Sequence, residues 1–149
     1  MPELNDPPIF RLLGEIGIIE QLARTELERL LPDGLKASQF NVLNHLARLG
    51  GEWSLVRLAN AFQVTRGAMT NTIQRLEARD LVHVSPDPED GRSKLVSLTP
   101  QGLAVRQQAV TTVTPLLAAL SAQLNDAEIE RLLPLLVKVR QYLDENRSA

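Results

Sequence analysis

The stretch "PDPEDGRSKLVSLTPQG", residues 86 to 102, holds the densest set of chemically capable side chains in the chain: Asp87, Glu89 and Asp90 in one loop, then Arg92 and Lys94. Three acids so close can bind a cation, carry out acid-base chemistry, or order a neighbouring arginine. A calcium loop needs oxygen ligands at positions one, three and five, glycine at six and glutamate at twelve. With Gly91 as the sixth position, Pro86 falls first, Pro88 third and Ser97 twelfth, so the pattern fails. Acid-base catalysis needs two carboxylates facing a pocket that shifts their pKa, and a proline-rich hairpin tip offers no burial. What remains is a solvated turn or a frame for Arg92, with Asp90 holding it by a charge-assisted bond or capping the turn.

The rest of the composition narrows the chemistry further. The 149 residues include no cysteine and two histidines, His45 and His83. That excludes disulfides and thiolate metal sites, and leaves a transition-metal site only carboxylates to lean on. No nucleophile elbow, phosphate-cradling glycine loop or metal-ligand cluster is visible, so neither an enzyme nor a cofactor nor a metal is expected. The acidic, proline-rich start "MPELNDPP" does not read as a signal peptide. No apolar run approaches the ~20 residues of a membrane span, and a cytoplasmic protein is expected. Net charge is -2, yet residues 53–100 hold six Lys+Arg against five Asp+Glu, whereas residues 1–52 hold five against eight. The middle of the chain is thus the part that permits a basic face.

Helical and strand periodicities show what positions these residues. Pro7-Pro8 opens a helix with an apolar stripe of Leu12, Ile16, Ile19, Ala23, Leu27 and Leu30, closed by Pro32-Asp33-Gly34. Leu13, Ile18, Leu22 and Leu31 lie off that stripe, so more than one face is apolar. A second helix is expected from Ser38, a good N-cap, to Gly50-Gly51. Ser54 and Thr65 then cap two short helices about three residues apart, a helix-turn-helix, with Ala59 small enough for a close crossing. His83 to Ser85 and Lys94 to Leu98 read as strands, and Asp90-Gly91 as a tight hairpin turn. Thr99-Pro100 caps a long helix with Pro115 inside, where a bend is expected, and Asn125 or Asp126 starts a last helix that Pro134 should kink.

Helix, helix, strand, loop, strand is a winged helix, whose second helix enters the major groove of DNA while the hairpin lies over the neighbouring groove or backbone. With Met69, Ile73 and Leu76 inward, Arg66, Gly67, Thr70, Asn71, Gln74 and Arg75 face out, and Thr65 sits at the helix start. Asn and Gln can pair two-pronged with adenine, Arg with guanine or phosphate, and Thr with base or backbone. Any exposed helix carries such residues, but here no acid stands at the centre of the face, which favours double-stranded DNA as partner. Arg92 and Lys94 are the wing's DNA-contact candidates, and Asp90 is the residue that orders the wing. His45 and Trp53 read first as packing residues.

The segment from about Leu35 to Gly102 resembles the DNA-binding core of the MarR family of bacterial transcriptional regulators. The likeness rests on "LVHVSPDPEDGRSKLVSLTPQG", with the Asp-x-Arg of the family's wing and the Leu-Thr-x-x-Gly that follows, and on "VTRGAMTNTIQRLEARDLV". Asp80 stands where the family usually has glycine, Gly91 replaces a common arginine, and Ala68 and Asn71 fall where hydroxyl and basic residues are frequent. The resemblance implies a mainly α protein with a small β wing: a core over residues 35–99, flanked by dimerisation helices at 1–34 and 100–149. It implies a homodimer on a pseudo-palindromic operator, repressing or activating, and a small aromatic or lipophilic acid as effector, for which His45 and Trp53 are candidate contacts. The rival from another class is a winged-helix adaptor that binds proteins instead of DNA, supported by the near-neutral middle segment.

Overall fold

The computed structural model describes residues 3–147. Helix α1 (Pro8–Leu30) starts behind Pro7 with a proline at its first position, where a missing N–H costs nothing. A 3-10 turn, Pro32–Gly34, reverses the chain with Asp33 and Gly34 in the left-handed region. Helix α2 (Ala37–Leu49) begins one residue before the expected Ser38 cap, and Ser38 lies exposed. Its free amides find other acceptors: Gln39 Oε1 takes the Lys36 N–H at 3.0 Å, and Glu28 Oε1, from the last turns of α1, takes the Ala37 N–H at 3.1 Å. A carboxylate at a helix N-terminus satisfies both the amide and the helix dipole, so the serine is not needed.

The helix-turn-helix forms from the two expected caps. Ser54 Oγ accepts from the Arg57 N–H to start α3 (Leu55–Phe62), and Thr65 Oγ1 accepts from the Ala68 N–H to start α4 (Arg66–Ala78), each at 3.1 Å. Between them Gln63 takes a left-handed turn. Buried Leu58 and Ala59 on α3 belong to the same core as Met69, Ile73 and Leu76 on α4 and Leu35, Val42, Leu43 and Leu46 around α2.

Strands β2 (Val82–Pro86) and β3 (Lys94–Leu98) pair antiparallel, Val82 opposite Leu98 and Pro86 opposite Lys94. A third strand, β1 (Trp53–Ser54), pairs with β3 and gives the order β1-β3-β2. Two residues are too few to show alternation, which is why periodicity misses β1. The expected tight turn at Asp90-Gly91 does not form. Instead the Asp90 N–H bonds the Asp87 carbonyl at 3.3 Å and the Ser93 N–H bonds the Asp90 carbonyl at 2.9 Å, two successive four-residue turns. Neither Asp90 nor Gly91 has the positive φ that the tight turn requires. Asp87 followed by Pro88 favours the ordinary turn, with the acid first and proline's fixed φ second.

Thr99 caps α5 (Pro100–Gln123) by accepting the Gly102 N–H at 2.9 Å. Asn125 caps α6 (Asp126–Glu145) in a reciprocal box with Glu128. Pro115 and Pro134 lie inside these helices without breaking them. The residues four earlier, Thr111 and Glu130, are exposed, so the carbonyls that lose a donor can turn to water. The chain divides into one compact unit ending at Val113 and another starting at Thr114. The core sits in the first, around Leu43, Leu58, Leu76 and Val96. The fold is the expected one, mainly α with a small β wing, and no helix among the described residues is long and apolar enough to cross a membrane.

Gly102 shows how tightly α5 starts against the wing. A Cβ there would stand 2.0 Å from the Leu81 carbonyl oxygen and 2.8 Å from Leu98 Cδ1. Gly102→Ala should therefore cost about 3 kcal/mol in a urea denaturation experiment, the upper range for forced overpacking. Gly67→Ala, with nothing within 4 Å, should be neutral or stabilising by about 0.5 kcal/mol.

Candidate nucleic-acid interface

Helix α4 separates its faces cleanly. Met69, Ile73 and Leu76, spaced four and three apart, are buried; Arg66, Gly67, Asn71, Gln74 and Arg75 are exposed, and Thr70 is half-buried. Thr65 is exposed, but its oxygen already accepts the Ala68 N–H, leaving the hydroxyl proton to donate elsewhere. Capping at Ala68 leaves the Arg66 and Gly67 amides at the positive end of the helix, where an anionic phosphate is favoured. Arg75 Nε donates to Asn71 Oδ1 at 3.4 Å, a pairing that sequence alone did not indicate. It occupies the asparagine oxygen and leaves its amide protons to face outward.

The wing is built by its acids, though not as a charge pair. Asp87 Oδ1 accepts from the Glu89 N–H at 2.9 Å, and Asp90 Oδ1 accepts from the Arg92 N–H at 3.0 Å. The Asp87 N–H closes the loop on the Ser93 carbonyl at 3.0 Å. Of the two ways Asp90 could order Arg92, the charge-assisted bond is absent and the turn cap is present. The Arg92 guanidinium is exposed and makes no ion pair among the described residues. Lys94 is exposed where β3 begins.

His45 and Trp53 come together, packed rather than open. The His45 ring stands edge-on to Trp53 at 4.4 Å between centroids and 5.2 Å from Phe62. Trp53 Nε1 donates to the Gly50 carbonyl at 2.9 Å, and the Arg57 guanidinium lies 4.1 Å over its ring. His45 Nε2 is buried without a hydrogen-bond partner among the described residues. Burial first, then the charges of Arg48 and Arg57, hold the imidazole pKa below its ordinary value.

A cleft of about 570 Å³ opens elsewhere in the same unit, between α1, α2 and α4. Phe62, Val64 and Met69 supply apolar lining, Asn41, Glu28 and the Arg24–Glu20 ion pair polar lining, and Asn71 and Thr72 bring the recognition-helix candidate to its wall. Neither His45 nor Trp53 lines it. No spacing rule points to this cleft, because its walls come from segments far apart in the chain.

A capped helix-turn-helix with a polar outer face, joined to an antiparallel wing whose tip presents Arg92, defines a winged helix-turn-helix DNA-binding protein. Residues 33–93 match the model of the MarR family. The chain is 31% identical over 105 residues to the multiple antibiotic resistance protein MarR of Salmonella typhimurium, spanning 67% of this chain and 72% of that protein. Mutant MarR from E. coli complexed with operator DNA superposes with a TM-score of 0.74 at 32% identity, over 88% of this chain and 94% of the other. Bordetella bronchiseptica BpsR, whose DNA binding is regulated by 6-hydroxynicotinic acid, superposes at 0.71 with 32% identity, over 87% and 98%. The chain belongs to the MarR family and is a transcriptional regulator, not an enzyme.

The histidine gives a pH test of the aromatic cluster. With its folded pKa lowered, the unfolded chain takes up a proton first as pH falls through about 6.5, so stability drops there and is regained above it. His45→Phe should remove that acid-side loss. Equal pH slopes for wild type and His45→Phe between pH 7 and 5 would contradict the placement of His45.

Proposed function

We propose that the protein acts as a homodimer on a pseudo-palindromic operator in the cytoplasm, with α4 in the major groove and the wing on adjacent backbone. The observation that carries the operator reading is the exposed face of α4, where Arg66, Asn71, Gln74 and Arg75 stand over a fully packed apolar face. Thr65, Thr70 and Lys94 add backbone contacts in this reading, Arg92 is the wing contact, and Asp90 orders it through the turn. The likeness to MarR bound to operator DNA supports it.

The dimer reading rests on apolar surface that one chain leaves uncovered. On α1, Phe10, Ile19 and Leu22 are 64, 60 and 65% exposed; on α6, Leu135 and Tyr142 are 64 and 66% exposed. Patches of this kind mark association surfaces. In this reading residues 1–34 and 100–149 are the dimerisation segments and 35–99 the DNA-binding core, with residues 1, 2, 148 and 149 outside the described chain. The effector is a small aromatic or lipophilic acid. The cleft offers it an apolar lining of Phe62, Val64 and Met69, and a ligand there touches Asn71 and Thr72 of α4. Arg24 stands 3.5 Å from Glu20 and Glu28 also lines the wall, so recognition there rests on the apolar lining rather than on a free cation. It acts by favouring a dimer whose recognition helices are wrongly separated. BpsR, regulated by a hydroxylated aromatic acid, supports this class of ligand.

Gel shift against the DNA flanking its own gene, across a salt series, tests the operator reading. A wild-type protein that binds this DNA no better than random sequence at every salt concentration would refute it. Arg92→Ala should weaken every operator by a similar factor and lower the salt slope by about one, because a backbone contact carries little base information. Asn71→Ala and Gln74→Ala should cost about 1 to 3 kcal/mol mainly at the preferred base pair. Sedimentation should find a dimer at micromolar concentration. Ile19→Asp changes a side chain exposed in the single chain, so its destabilisation would report the partner; an Ile19→Asp protein as stable as wild type, and still dimeric, would remove α1 from the interface.

A further inference from the structure

The end of the recognition helix is held from an unexpected direction. Just past the end of α4, after its C-cap Arg79, stands Asp80, a non-glycine residue with φ +57, a conformation that costs L-residues about 1 kcal/mol or more. The carbonyl of that strained residue accepts the Thr99 hydroxyl proton at 2.7 Å, across 19 residues of chain. The same hydroxyl oxygen accepts the Gly102 N–H at 2.9 Å, capping α5. Next door the Leu81 carbonyl takes the Thr99 N–H at 3.3 Å and is approached so closely by Gly102 that no Cβ fits between them. One turn further on, Arg106 ties α5 to α2 through two bonds from its guanidinium to Asn44 Oδ1, at 3.2 and 3.0 Å.

We propose that Thr99 is a positioning residue for operator recognition: its hydroxyl locks the C-terminal end of α4 to the first turn of α5, so that α5 carries α4 as one body and sets the separation of the two recognition helices. The inference rests on the homodimer and operator reading above. A helix cap needs only the acceptor role of Thr99. The donor role, spent on a strained residue at the end of the recognition helix, does nothing for α5 itself. It stiffens the junction through which movement of a dimer helix must reach the DNA-contact face. A stiff junction makes a wrongly spaced operator costly, because shifting one half-site by a base pair moves it by about 3.4 Å and rotates it by about 35°.

The test uses the full chain and a palindromic duplex selected by the wild-type protein from a random pool, then the same duplex with its centre lengthened or shortened by one base pair. Wild type should discriminate against the altered spacings by tenfold or more. Thr99→Val, folded by circular dichroism and dimeric by sedimentation, should bind all three within about threefold of one another, and Thr99→Ser should restore the wild-type ratio. Thr99→Asp separates the two roles, since a carboxylate caps α5 well but has no proton for the Asp80 carbonyl. It also covers the case of a Thr99→Val chain that does not fold. It should lose the spacing preference as Thr99→Val does, whatever its added charge does to absolute affinity. Discrimination retained in Thr99→Asp, or affinity lost equally at every spacing, overturns the inference while leaving the operator reading standing. A wild-type chain that selects no paired half-sites overturns that reading, and this inference with it.

Discussion

The structure depends on a close backbone approach at Leu81. Its N–H closes α4 on the Leu76 carbonyl at 3.0 Å, its carbonyl meets the start of α5, and its side chain is buried in the core. One residue thus joins the recognition-helix candidate, the first wing strand and the long helix that follows the wing. Gly102 permits the approach by having no side chain, and beside it the Thr99 N–H pairs the Leu81 carbonyl at 3.3 Å. A backbone carbonyl at a buried residue such as Leu81 is tolerable only when it is paired, so Leu81, Thr99 and Gly102 are set together.

Charge in this protein is used locally rather than in bulk. A net charge of -2 gives no long-range attraction to DNA, and the acid-rich wing looks at first like a barrier to it. The wing acids instead spend their oxygens on backbone amides, Asp87 on Glu89 and Asp90 on Arg92. A carboxylate that accepts a backbone N–H orders the turn without tying up the arginine side chain. A direct ion pair would instead have occupied the guanidinium, which stays exposed. The outer face of α4 follows the same economy, with its two arginines at either end and neutral amides between.

The helices differ in how much apolar surface they bury. Around α2, α3, α4 and the sheet, buried leucines and valines form a continuous core. Along α6 no residue is buried, and the upper turns of α1 are likewise exposed while its last turn contributes Leu27 to the core. A helix with apolar residues around more than one face needs more than one packing partner, and one chain leaves those faces uncovered.

Much of this was legible in the residues themselves because it depends on neighbours in sequence. The caps at Ser54, Thr65, Thr99 and Asn125, the inward stripe of Met69, Ile73 and Leu76 and the two long wing strands all follow from spacings of one to four residues. The tertiary structure decided what comes from afar. Glu28 replaced Ser38 as a partner at the start of α2, and β1 existed only because β3 lay beside it, whereas the wing turn was local but set by Asp87-Pro88 rather than by Asp90-Gly91. Likewise His45 and Trp53 proved to be packed against each other, while the cleft formed between α1, α2 and α4. Local rules assign each backbone group its nearest partner. Folding brings distant groups into hydrogen-bonding distance, as Glu28 comes to 3.1 Å from the Ala37 N–H, and the better acceptor wins.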